Sequence, residues 1–157
     1  MGFRLRHFRV PKDGSEGPEE LVSDLNQVAS LSVNATSLSF SMHFSQGGVG
    51  YCPLSGCAGA VSLLGSDQPF PYSIASDQAN LYWINASIGG SDKPASVMRS
   101  AFAEPNPIQI DALPAPSLAA DQMIATDDTH VYWVSSGKAG VMVDYVDSSI
   151  RRARKVW

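Results

Sequence analysis

Charge and cysteine are both scarce in this chain. Of its 157 residues only 17% are Asp, Glu, Lys or Arg, and two are cysteine. No apolar run approaches the roughly 18 residues of a membrane-spanning helix, so no membrane span is expected. The opening MGFRLRHFRVPKDG is basic, but no apolar stretch follows it, so no signal peptide is expected in this chain. Motifs that carry chemistry are missing as well. There is no G-x-S-x-G, no P-loop, no H-E-x-x-H and no EF-hand pattern, so no hydrolase elbow, phosphate cradle, zinc helix or calcium loop is expected. The histidines, His7, His43 and His130, are far apart in sequence and accompany no nucleophile motif, which favours structural roles. Neither a cofactor nor a metal site is expected.

The charge that is present is unevenly placed. The net charge is −4, yet eight of the eleven Lys and Arg residues lie at the two ends. These are Arg4, Arg6, Arg9 and Lys12, then Arg151, Arg152, Arg154 and Lys155. The stretch between them carries −12 and the ends carry +8. An acidic body is a poor surface for nucleic acid, which needs a positive footprint, so no nucleic-acid partner is expected. The basic ends read as exposed faces of terminal strands.

Gly, Pro, Ser and Asn recur along the whole length and point to many short elements joined by turns. A hydrophobic content of 44% is ordinary for a globular protein. A compact chain of this size buries about 68–70% of its unfolded surface. The strongest signal is an internal repeat. SIASDQANLYWIN (73–85) aligns with MIATDDTHVYWVS (123–135) at a spacing of 50 residues. Ile74 matches Ile124, Asp77 matches Asp127, and Tyr82-Trp83 matches Tyr132-Trp133. A weaker copy, SLSVNATSLSFSM (30–42), has Asn34 for the Asp, Ser39 for the Tyr and Phe40 for the Trp.

Each aromatic strand is followed by a Gly- or Ser-rich loop and a further strand: VGYC (49–52), VMRSA (97–101) and IRRARK (150–155). FRVPKDG (8–14) reads as that same strand from a unit lacking its first half. Its PKDG turn resembles PLSG (53–56), with Gly14 and Gly56 in the slot that needs a positive φ. A fourth strand follows in EELVS, AVSLLG and IQIDA, and the third full unit lacks one. Alternation places Leu81 and Trp83 on one face and Tyr82 and Ile84 on the other, both apolar, as suits a strand sandwiched between neighbours. The turns at 77–80 and 127–130 suit Asp, whose side chain bonds nearby backbone. Asp77, Tyr82, Trp83, Asp127, Tyr132 and Trp133 are therefore read as recurring structural positions, with Trp133 in the core.

The expected fold is all-β: a β-propeller-like array of about three four-stranded antiparallel blades in an incomplete ring. The expected organisation is a single segment, 1–157, with a partial unit at 1–29, units at 30–72 and 73–122, and a truncated unit at 123–157. The pattern Ile-Ala-x-Asp-x-x-x-Val-Tyr-Trp, followed by Val-Met-Arg and a Gly turn, resembles the YWTD-type (NHL-like) β-propeller repeat of low-density-lipoprotein-receptor relatives. It is closer still to repeats of bacterial secreted proteins. That resemblance implies an extracytoplasmic or secreted location. Three units are too few to close a ring of about 4–8 blades. Either the chain belongs to a longer array, or two copies self-associate into a six-bladed ring.

Cys52 and Cys57 flank the CPLSGC turn between two expected antiparallel strands. They are the disulfide candidate, their Cβ atoms being within reach across the turn; buried free thiols are the main alternative, and a metal site would want further ligands. Asp144, Tyr145 and Asp147 lie in the third unit's insertion, SSGKAGVMVDYVDSS, and are the candidate residues for partner contact, because insertions on repeat scaffolds often form the binding face. Asn34-Ala-Thr and Asn85-Ala-Ser match the glycosylation pattern but carry no weight in a chain this rich in Ser. The reading is a non-catalytic binding or scaffold module that contacts protein or glycan. Part of a propeller lyase or hydrolase, and a non-functional gene fragment, are the alternatives.

Overall fold

A computed structural model describes residues 5–57, 61–86, 95–113, 123–135, 138–139, 145–146 and 149–155. Every regular element among them is a strand. No helix there is long and apolar enough to cross a membrane. β1 (Leu5–Arg9) and β2 (Glu19–Leu25) form an N-terminal ribbon. The first sheet runs in chain order through β3 (Val28–Val33), β4 (Ser37–Met42), β5 (Gly47–Pro53) and β6 (Ser62–Gln68). The second repeats that meander with β7 (Pro71–Ser76), β8 (Asn80–Asn85), β9 (Ser96–Ala101) and β10 (Ile108–Ala112).

The third sheet has β11 (Ile124–Thr126) and β12 (His130–Ser135), then β15 (Ser149–Arg154). Between them lies a ribbon of β13 (Lys138–Ala139) and β14 (Tyr145–Val146). All pairings are antiparallel, and no sheet closes into a barrel among the described residues. The fold is all-β, in sheets compatible with the blades of an incomplete propeller.

The core lies between sheets rather than inside any one of them. Period-2 alternation gives β8 two apolar faces, and the structure buries both. Leu81 and Trp83 pack with Val49 and Leu64 of the first sheet. Tyr82 and Ile84, with Ala75 and Val97, pack with Ile124, Val131 and Trp133 of the third. The first sheet's other face, through Leu38 and Phe40, meets Val22 and Leu25 of the ribbon. At roughly 25 cal/mol per Å², a fully buried aromatic of 150–250 Å² contributes about 4–6 kcal/mol as an upper estimate. The central pair Tyr82 and Trp83 therefore dominates the sandwich.

Turn chemistry sets the strand ends. Gly14 and Gly56 take φ of 70° and 101° in matching turns, where the glycine N–H reaches back to the Pro11 and Pro53 carbonyls. Gly47 opens β5 where a Cβ would run into the Met42 carbonyl oxygen. The sheet-to-sheet turns hold two surprises. Gln27 and Phe70 have φ of 44° and 47°, which side chains rarely adopt. Both are held by equivalent bonds, His43 N–H to the Gln27 carbonyl (2.8 Å) and Ala86 N–H to the Phe70 carbonyl (3.0 Å).

Candidate functional site

The recurring polar residues gather at the turn between the first and second strand of each sheet. In the second sheet, Asp77 Oδ1 accepts the N–H groups of Ala79 and Asn80, both at 2.8 Å. Its Oδ2 accepts the Tyr82 hydroxyl at 2.9 Å. In the third sheet, Asp127 Oδ1 accepts the Thr129 and His130 N–H groups at 2.7 Å, and Oδ2 accepts the Tyr132 hydroxyl at 2.7 Å. One carboxylate thus closes a turn and anchors an aromatic five residues on. Tyrosine at that place needs an acidic partner with a second oxygen to offer. In the first sheet Asn34 Oδ1 still accepts from Thr36 and Ser37 N–H groups at 2.9 Å. Ser39 stands where the tyrosine would be, and its buried hydroxyl has no hydrogen-bond partner.

These turns also tie the sheets to one another. Asn34 Nδ2 donates to the Asp77 carbonyl at 2.8 Å. Lys155, just past β15, pairs with Asp77 Oδ2 at 2.6 Å and sits 5.4 Å from the Tyr82 ring centroid. Burial of Asp77 opposes its ionisation. The Lys155 ammonium, the Ala79 and Asn80 N–H groups and the Tyr82 hydroxyl outweigh it and hold the carboxyl below its usual range. At Asp127 the Tyr132 hydroxyl, then the Thr129 and His130 N–H groups, hold the carboxyl well below the ordinary carboxylate range. The same bond to Asp127 raises Tyr132, with Arg152 acting in the other direction.

A second tie runs through the tryptophans. Trp83 Nε1–H donates to Gln68 Oε1 (3.2 Å) and Asn85 Oδ1 (3.1 Å), and Trp133 Nε1–H to Asp111 Oδ2 (3.2 Å). Gln68 and Asp111 both belong to the fourth strand of the preceding sheet, and Arg151 also pairs with Asp111 at 2.9 Å. Sequence reasoning missed Lys155, Gln68 and Asp111 as partners. For Asp111 the available signal was a carboxylate inside the apolar strand IQIDA; Lys155, past the charged β15, and Gln68, at the polar end of β6, carried none.

Cys52 and Cys57 are joined as a disulfide, Cα–Cα 5.0 Å, within the cluster of Val22, Leu25 and Phe40. His130 Nδ1 lies 2.7 Å from the Thr129 hydroxyl. Tyr145 falls on β14, paired in register with Ala139, while Asp144 and Asp147 lie outside the described residues. No group of three or more His, Cys, Asp or Glu side chains suited to a metal ion occurs among the described residues. A strongly apolar cleft of about 360 Å³ opens on the third sheet over Met123, Ala125, Tyr132, Val134 and Ile150. No protein-family model matches the chain, and no curated protein is similar to it.

Proposed function

We propose that the chain is a non-catalytic binding and scaffold module. In this reading it is a segment of a YWTD-like β-propeller in an exported bacterial protein, contacting protein or glycan through loops at the blade ends. The observation that carries the proposal is the use made of the recurring carboxylates. Both oxygens of Asp77 and of Asp127 are engaged in closing a turn and holding a tyrosine. Chemistry repeated from unit to unit therefore serves the scaffold. Recognition then falls to what is not repeated, above all the insertion at 136–148 that carries the β13–β14 ribbon and Tyr145. The Cys52–Cys57 disulfide supports an oxidising compartment.

The test is binding of the purified chain to a glycan array and to a panel of immobilised extracellular proteins. A companion variant has 136–148 replaced by a short Gly-Ser turn. Loss of a specific signal in that variant, with an unchanged strand spectrum, is the expected result. Binding that survives the replacement, or turnover of a bound glycan, refutes the proposal.

A further inference from the structure

The open face of the third sheet has a template one sheet earlier. Ala75 pairs with Tyr82, and Ile84 with Val97, to make the face of the second sheet that the third covers. The matching pairs on the third sheet are Ala125 with Tyr132, and Val134 with Ile150. Those residues line the apolar cleft, where Ile150 is 80% exposed and neighbouring Met123 68%. The outer face of the N-terminal ribbon is its counterpart at the other end of the chain. There Phe8 and Val10, 54% and 55% exposed, alternate with Arg9, which turns inward to the Leu54 carbonyl. The exposed Lys12 continues the outward row.

Charge matches these two faces. Leu54, Phe102 and Lys155 occupy one repeat position, since their N–H groups bond the Thr36, Ala79 and Thr129 carbonyls respectively. Lys12 falls at the same position, because the turn from Pro11 to Gly14 repeats the turn from Pro53 to Gly56. That position meets the carboxylate of the preceding sheet. It is Lys155 where the preceding sheet has Asp77, and Phe102 where it has Asn34. The last sheet has the exposed Asp127 as its carboxylate, with the exposed Asp128 beside it, and the first element has the exposed Lys12, with Asp13 beside it. The other charges on these faces are Arg152 and Arg154 on the third sheet, and Glu20, paired in register with Phe8, on the ribbon. Opposite signs are again set against each other.

We infer that the open face of the third sheet is a docking surface for the N-terminal ribbon of a second copy of this chain. Phe8 and Val10 cover Val134 and Ile150, and Lys12 reaches Asp127. This head-to-tail contact, made twice, closes a ring of two copies. It stands on the strand array alone and is independent of the proposed ligand-binding loops.

Sedimentation velocity from micromolar to millimolar concentration tests it. The wild-type chain is expected to associate reversibly to twice its monomer mass. Lys12→Glu weakens each contact about fivefold, the upper end for an exposed ion pair, so the two-contact dimer weakens about 25-fold. Asp127→Asn keeps the turn acceptor, as Asn34 does, and in that background Lys12→Glu has a smaller effect. Ile150→Lys, at an exposed position, gives monomer with an unchanged far-ultraviolet spectrum. A chain that stays monomeric throughout overturns the inference and hands the face to a different occupant. Association insensitive to Lys12→Glu and Ile150→Lys also overturns it, as do strictly additive effects of Lys12→Glu and Asp127→Asn.

Discussion

Replacing Lys155 by methionine removes one charge and leaves the apolar stem over Tyr82. Lys155 and Asp77 are 2.6 Å apart, with side chains 11% and 22% exposed. Exposed ion pairs contribute about 0.2–1 kcal/mol, whereas breaking a buried one costs about 3–5 kcal/mol. Asp77 keeps the Ala79 and Asn80 N–H groups and the Tyr82 hydroxyl in the variant, so its carboxylate is not stranded. A value of about 1–2 kcal/mol follows, or roughly 3–6 °C in Tm for a chain of this size. Methionine retains most of the stem's packing, so the loss is the ion pair with Asp77 together with the Lys155 Nζ–H bond to the Asp127 carbonyl.

The dependence on pH separates this account from a packing defect. The folded-state pKa of Asp77 is depressed, so its contribution is fully present above the unfolded value near 4. It fades as pH falls through the folded value. Urea denaturation of wild type and Lys155→Met should therefore differ more at pH 7 than in acid, where only the pH-independent bond to the Asp127 carbonyl still separates them. Equal midpoints at pH 7, or a difference that persists undiminished in strong acid, would refute the reasoning.

Trp83→Ala should cost about 3–5 kcal/mol, since the ring is fully buried between two sheets, and chemical denaturation measures the loss. Asn34→Asp moves the first turn closer to the repeat pattern yet should destabilise it. The change deletes the Nδ2 donor to the Asp77 carbonyl and sets two oxygens against each other, a loss of about 1–2 kcal/mol readable by thermal melting. Replacing both Cys52 and Cys57 by serine should cost about 2 kcal/mol, because the disulfide closes a short loop, and a thiol titration of the native wild type should find no free thiol. Tyr132 should ionise at lower pH in Asp127→Asn than in wild type, because the carboxylate that accepts its hydroxyl proton raises its pKa, and ultraviolet titration reads the change directly.

Local chemistry made much of the fold legible. Leu81, Trp83, Tyr82 and Ile84 alternate with no polar face, which only a strand covered on both sides satisfies. Asp77 and Asp127 announced their turns because a short carboxylate reaches the N–H groups two and three residues on. Gly14 and Gly56 announced theirs because those turns need a positive φ. Gln27 and Phe70 gave no such sign, since neither is a residue that prefers the conformation it adopts. Their turns are held by backbone bonds from the next sheet.

The candidate site divides in the same way. The pairing of Asp with Tyr lies within five residues of chain and follows from the repeat itself. Lys155 against Asp77, Trp133 against Asp111 and Asn34 against the Asp77 carbonyl join residues 78, 22 and 43 positions apart. Sequence by itself determined the strands, their two apolar faces and the turns marked by Asp or Gly, because these depend on period and on side chains within reach of their own backbone. Which face meets which neighbour, and which face is left open at the third sheet, was decided only by the stacking of sheets. That stacking sets distant residues side by side, and neither period nor spacing records it.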